Sequence, residues 1–113
     1  MDKKELIANF SQELRRGMLI LCVLANLKEP TYGYSLIEKL SQTGVSIEAN
    51  TLYPLLRRLE GQELLASIWN TEGAKPRKYY ELTEFGKEVL GELKKHWQST
   101  IKSMNEILEV SDI

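Results

Sequence analysis

Cysteine and histidine are nearly missing from this chain of 113 residues: Cys22 and His96 each stand alone. One cysteine excludes a disulfide framework and a cysteine-based zinc site. Its place in an apolar run predicts a buried free thiol, which suits a reducing cytoplasm, the expected compartment. His96 sits beside Lys94 and Lys95 on an outer helix face, the setting of a solvated surface residue. There is no nucleophile–base pair, no Gly-rich phosphate loop and no metal-ligand spacing, so neither an enzyme nor a cofactor is expected. No apolar run approaches the roughly 18 residues of a membrane helix. The opening Met1-Asp2-Lys3-Lys4-Glu5-Leu6 lacks the apolar core of a signal peptide. A surplus of charge is missing as well. The net charge of −1 counts against nucleic acid, whose binders carry a basic footprint.

What is present outweighs that last point. Hydrophobic residues at 42% and charged residues at 27% fit a single globular domain. Basic residues gather in two short stretches, Arg57-Arg58 and Lys75-Pro76-Arg77-Lys78, while Glu106, Glu109 and Asp112 collect at the C-terminus. The first basic stretch belongs to Asn50–Leu65. There Leu52, Leu55, Leu56 and Leu59 recur at i, i+3, i+4 and i+7, one apolar stripe on a helix. The opposite side carries Asn50, Tyr53, Pro54 and Arg57, with Arg58 at its margin. Asn50 is read as the N-cap and Pro54 as the end of the first turn, where its missing N–H costs little. A major groove accepts such a face. Arginine reaches phosphates or guanine edges, and asparagine reads adenine.

Along the chain, Lys4–Leu27 reads as a first long helix, with Leu6, Ile7, Phe10, Leu14, Met18, Leu21 and Cys22 at helical spacing. From Met18 to Leu27 it is apolar on nearly all sides, which predicts burial all round and a partner chain as cover. Pro30 breaks it. Thr31 is read as the cap of a second helix over Tyr32–Ser41, with Tyr34, Ile37 and Leu36 or Leu40 inward. Leu64–Trp69 and Arg77–Leu82 read as two strands of a hairpin. In the second, Lys78, Tyr80 and Leu82 alternate with Arg77, Tyr79 and Glu81. Thr83 caps a last long helix. Leu90, Trp97 and Met104 stand seven apart, with Leu93, Thr100 and Ile107 as a second row. Such a seam on a helix leaving a small domain predicts oligomerisation. The order predicts a mainly α fold with a small β-hairpin, a winged helix-turn-helix. The winged domain covers 1–83 and the long C-terminal dimerisation helix 84–113.

Three stretches carry a resemblance: Tyr32-Gly33-Tyr34-Ser35-Leu36-Ile37, Thr51-Leu52-Tyr53-Pro54-Leu55-Leu56-Arg57-Arg58-Leu59-Glu60, and Pro76 through Gly86. In that order they resemble the PadR family of bacterial transcription regulators, and the single C-terminal helix resembles its short subfamily. One departure is Glu63-Leu64, where the family usually has Gly after the helix; Gly61 is the candidate to take that turn. The resemblance implies a homodimer that represses transcription from an inverted-repeat operator on double-stranded DNA. It also implies, for some members, release by small aromatic or cationic compounds. The expected DNA contacts are Asn50, Thr51, Tyr53, Arg57 and Arg58 in the major groove, with Lys75, Arg77 and Lys78 on phosphates. The expected effector site is Trp97 with Leu14, Met18 and Leu93, because a large ring in a helix seam can leave a slot for planar guests. The competing reading is a winged helix used only for protein–protein contact. It leaves the basic residues of the third helix and the wing unexplained.

Overall fold

The computed structural model describes residues 1–110, so Asp112 and the tip of the expected arm lie outside the described residues. The elements run α1 (Lys3–Arg16), α2 (Leu19–Ala25), β1 (Thr31–Tyr32), α3 (Gly33–Gln42), α4 (Ala49–Gly61), β2 (Leu65–Asn70), β3 (Arg77–Leu82) and α5 (Glu84–Leu108). The core is a leucine cluster. Val23, Leu24 and Leu27, Leu36 and Leu40, and Leu52, Leu56 and Leu59 meet Leu65, Tyr80 and Leu82 of the sheet and Leu90 of α5. The fold is a winged helix with a long C-terminal helix, as its sequence pattern predicts.

The structure departs from the sequence pattern at several points. The expected first helix is two, α1 and α2, separated at Gly17 and Met18. Glycine is a poor helix former, and the Met18 amide donates to Arg15 three residues back, which tightens the turn. Thr31 is no helix cap. It lies in β1, pairing with Tyr80, and its hydroxyl donates to the Glu29 carbonyl at 3.0 Å. The hairpin is therefore part of a three-stranded sheet, in the order β1-β3-β2. Tyr34 faces outward at 58% exposure, while Leu36 and Leu40 take the core. Cys22 is only half-buried, since one flank of α2 is open.

The start of α4 also differs. Glu48, with extended backbone and no side-chain cap bond, precedes the helix, and Asn50 lies within it. Ile47 is buried and fixes the chain just before this start. The amides of Thr51 and Leu52 then both donate to the Glu48 carbonyl. Pro54 falls past the first turn, inside the helix.

Helices α3 and α4 end alike, although one has glycine and the other does not. After α3, Gly44 has φ of 86°, and the Val45 amide donates to the Leu40 carbonyl at 2.9 Å. After α4, Glu63 has φ of 65°, and the Leu64 amide donates to Leu59 at 3.0 Å. Both are Schellman turns, which want a left-handed residue after the cap. Glu63, not Gly61, takes that role. A left-handed L-residue costs roughly 1–2 kcal/mol, partly offset by the extra freedom glycine has when unfolded. Glu63→Gly is expected to stabilise the fold by about 0.5–1 kcal/mol. Its urea midpoint should rise with the slope unchanged.

Helix α1 stands apart from this core. None of its residues is buried. Its apolar stripe, Leu6, Ile7, Phe10 and Leu14, is 45%, 55%, 57% and 72% exposed. On α5, Leu90 is buried, yet Trp97, Ile101, Met104, Ile107 and Leu108 are all exposed.

Candidate nucleic-acid interface

Burial of Leu52, Leu56 and Leu59 orients α4 and turns its other side outward. Asn50, Thr51, Arg57 and Arg58 are exposed there. Tyr53 is not free in the same way. It is half-buried and packs on α3, where a side chain on Gly33 would come within 3.0 Å of the Tyr53 ring. Burial raises the Tyr53 phenol above its ordinary pKa, helped by neighbouring tyrosines. A side chain at Gly33 would press on the Tyr53 ring, which would have to give by a few tenths of an ångström.

The wing separates its cations by strand alternation. Lys75 is exposed in the loop between the strands. Arg77 lies on the outer face of β3, its guanidinium 5.1 Å from the centre of the Tyr32 ring. Lys78, one residue on, faces inward. Its ammonium is 3.4 Å from Glu60 Oε1 and lies over the rings of Tyr80 and Trp69, at 5.2 and 6.0 Å. The other Glu60 oxygen accepts the Ser67 hydroxyl. This hydrogen bond, with Lys78, holds the Glu60 carboxyl below its ordinary pKa. Burial works against the charge on Lys78, but Tyr80 and Glu60 outweigh it and keep its pKa raised.

Between α4 and the wing lies a groove of about 330 Å³ bordered by Tyr53, Arg57, Trp69, Pro76, Lys78 and Tyr80. Arg57 and Lys78 share this groove, while Arg77 points to the far side of the ribbon. Two cations that charge counting passes over lie at the other end of α4. Arg15 and Arg16 border a hollow of about 560 Å³ together with Ser46 and Thr51. In sequence they look like ordinary basic residues at a helix C-terminus. Only the turn at Gly17 and the direction of α1 bring them to the same hollow as Thr51. Trp69, 60% exposed on the groove wall, had its only signal in strand alternation.

The four residues expected to hold an effector also come together. Leu14, Met18, Leu93 and Trp97 border one apolar hollow of about 620 Å³, continued by Ile101 and Met104. Among the described residues, no helix is long and apolar enough to cross a membrane.

Residues 20–92, which span most of this arrangement, match the model of the Transcriptional regulator PadR-like family. The chain belongs to the PadR-like family of transcriptional regulators. It is similar to a solved PadR family transcriptional regulator from Eggerthella lenta, at 47% identity and a TM-score of 0.89, with 96% of each chain covered. A PadR-like transcription factor from Bacteroides fragilis is 40% identical, with a TM-score of 0.71, covering 88% of this chain and 98% of that one. Transcriptional regulator Rv3488 of Mycobacterium tuberculosis is 32% identical over 82 residues, 72% of this chain and 77% of that protein. This PadR-like chain is a transcriptional regulator with a winged-helix fold.

Proposed function

We infer that this PadR-like regulator is a repressor that binds duplex DNA as a homodimer. Its α4 enters the major groove of each half of an inverted repeat. The observation that carries this reading is the exposed face of Asn50, Thr51, Arg57 and Arg58 on a helix whose other side is locked in the core. Asn50 and Arg57 supply base-edge chemistry, and Arg58, Lys75 and Arg77 supply phosphate contacts. Residues 1–83 form the DNA-binding unit and 84–113 the dimerisation arm, in the cytoplasm. Two α4 helices about 34–36 Å apart would match one turn of DNA.

A small planar effector fits the apolar hollow at Trp97, Leu14, Met18 and Leu93. It would release DNA only if it prefers one angle between the two winged units.

The test is titration of duplex at several salt concentrations. Arg57→Ala should cost about 1–3 kcal/mol and relax one base position. Lys75→Ala should weaken all sequences alike and flatten the salt slope by about 0.9 if it neutralises one phosphate. An Arg57→Ala, Arg77→Ala double variant that binds as the parent does would refute this face as the contact surface. A parent that binds no duplex at any salt would refute DNA binding itself and favour a module for protein contact, which the net charge of −1 suits.

A further inference from the structure

Charge counting gives the wing three cations, Lys75, Arg77 and Lys78, but the three are not equivalent. Lys75 and Arg77 are exposed. The side chain of Lys78 retains only 28% of its exposure and that of Glu60 only 32%. Four groups hold the ammonium in place. Glu60 faces it at 3.4 Å, the Tyr80 and Trp69 rings lie beneath it, and Ser67 fixes the second Glu60 oxygen. The carboxylate comes from the last turns of α4, the lysine from β3, and Ser67 and Tyr80 are paired across β2 and β3. The carboxylate therefore gives Lys78 an anionic oxygen partner of the kind a DNA phosphate would offer. The same groove has Arg57 on its border.

We propose that Glu60 is a positioning residue for DNA affinity: an internal counterion that withholds Lys78 from the DNA backbone. This rests on the DNA-binding reading above. A lysine already paired with a fixed carboxylate releases no DNA counterion, so it adds nothing to the salt dependence of binding. Lys78 is then a reserve contact. The wing grips with Lys75 and Arg77, and the regulator leaves non-specific duplex more readily than its basic count implies. Because the backbone term is independent of sequence, withholding it lowers affinity for operator and random DNA alike and leaves the ratio between them unchanged.

The test compares binding to a random-sequence duplex and to upstream DNA of the protein's own gene, across a salt series. Glu60→Gln removes the carboxylate charge and keeps the shape and an acceptor for Ser67. It should raise affinity for random duplex by about 3–10-fold at low salt and steepen the slope of log K against log salt by about 0.9. Adding Lys78→Met to Glu60→Gln should return the slope to its parental value. Glu63→Gln changes net charge equally but neutralises a carboxylate that makes no ion pair with Lys78. It should leave the slope unaltered. Thermal unfolding of each variant reports whether the fold is intact. The counterion role is overturned if Glu60→Gln keeps the parental slope, or if its gain survives Lys78→Met. A Lys78→Met variant that by itself flattens the slope by about 0.9 overturns it too, since Lys78 would then already reach phosphate. Failure of every variant, and of the parent, to bind duplex would instead remove the DNA reading and this role with it.

Discussion

Gly86→Ala should unfold much of this molecule or cost it about 3 kcal/mol or more, the upper range for forcing an atom into a packed site. Gly86 is buried in the first turn of α5, where its amide donates to the Thr83 hydroxyl at 2.9 Å. A Cβ built there would lie 2.1 Å from the Leu64 carbonyl oxygen and 3.1 Å from Leu82 Cδ2. The leucine methyl can turn aside. The carbonyl cannot, because it accepts the Thr83 amide at 3.1 Å and follows the left-handed residue Glu63. Relief must come from α5 lifting off the sheet, and that withdraws Leu90 from the core. Gly91, one turn and a half later, is the internal control, with nothing within 4 Å of its added Cβ. Gly91→Ala should stabilise by up to about 1 kcal/mol through helix propensity alone. Denaturant unfolding of the two variants side by side decides the matter. A Gly86→Ala protein as stable as the parent would mean that α5 does not dock on the Leu64 backbone.

Helix propensity alone treats those two glycines alike; only Gly86 falls in a stretch that carries the family resemblance, and its packing against Leu64 appears only in the fold. Legible features have local causes. The leucine stripe of α4, the Thr83 cap and the alternation of β3 each follow from a period or a single hydrogen bond. All three stand in the structure. Features set by a distant partner were not legible. Strand β1 has only two residues, too few to alternate, and exists because Thr31 and Tyr32 find Tyr80 and Tyr79. The start of α4 is set by the burial of Ile47, not by the capping power of Asn50. Glu63 accepts a strained φ because Leu64 must reach the core immediately afterwards.

The candidate DNA site shows the same division. Alternation already placed Lys78 on the side of Tyr80 and Leu82, which are buried. Charge counting placed it on DNA. The structure follows alternation for its seat, because Glu60 and the aromatic rings make the inward position favourable for a cation. Arg15 and Arg16 were invisible for the opposite reason: their neighbourhood with Thr51 depends on how α1 turns at Gly17.

If the proposed homodimer reads an operator, charging the apolar seam of α5 should cost it operator affinity by about 100-fold or more without touching α4. Soluble monomers seldom expose contiguous apolar patches beyond a few hundred Å². Here α1 presents Leu6, Ile7, Phe10 and Leu14, and α5 presents Trp97, Ile101, Met104 and Ile107. A second copy offering the same two stripes would cover both at once, as two-fold interfaces do. Ile101 and Met104 are the positions to change, being 38% and 37% exposed and distant in sequence from the buried Leu90. An Ile101→Glu, Met104→Glu variant leaves the winged core intact, so its circular dichroism should retain the helix of α2 to α4. Burying two carboxylates against their symmetry mates is strongly unfavourable, since like charges meet where water is excluded. Light scattering should therefore give one chain mass of 13.0 kDa in place of two. Each freed monomer then grips a single half-site. It loses the effective concentration that the linked second α4 supplies, so operator binding collapses while the weaker affinity for random duplex falls far less. If the charged variant still scatters as two chains, the seam is not the interface. If it scatters as one chain yet holds the operator as tightly as the parent, the two half-sites are not read by a dimer.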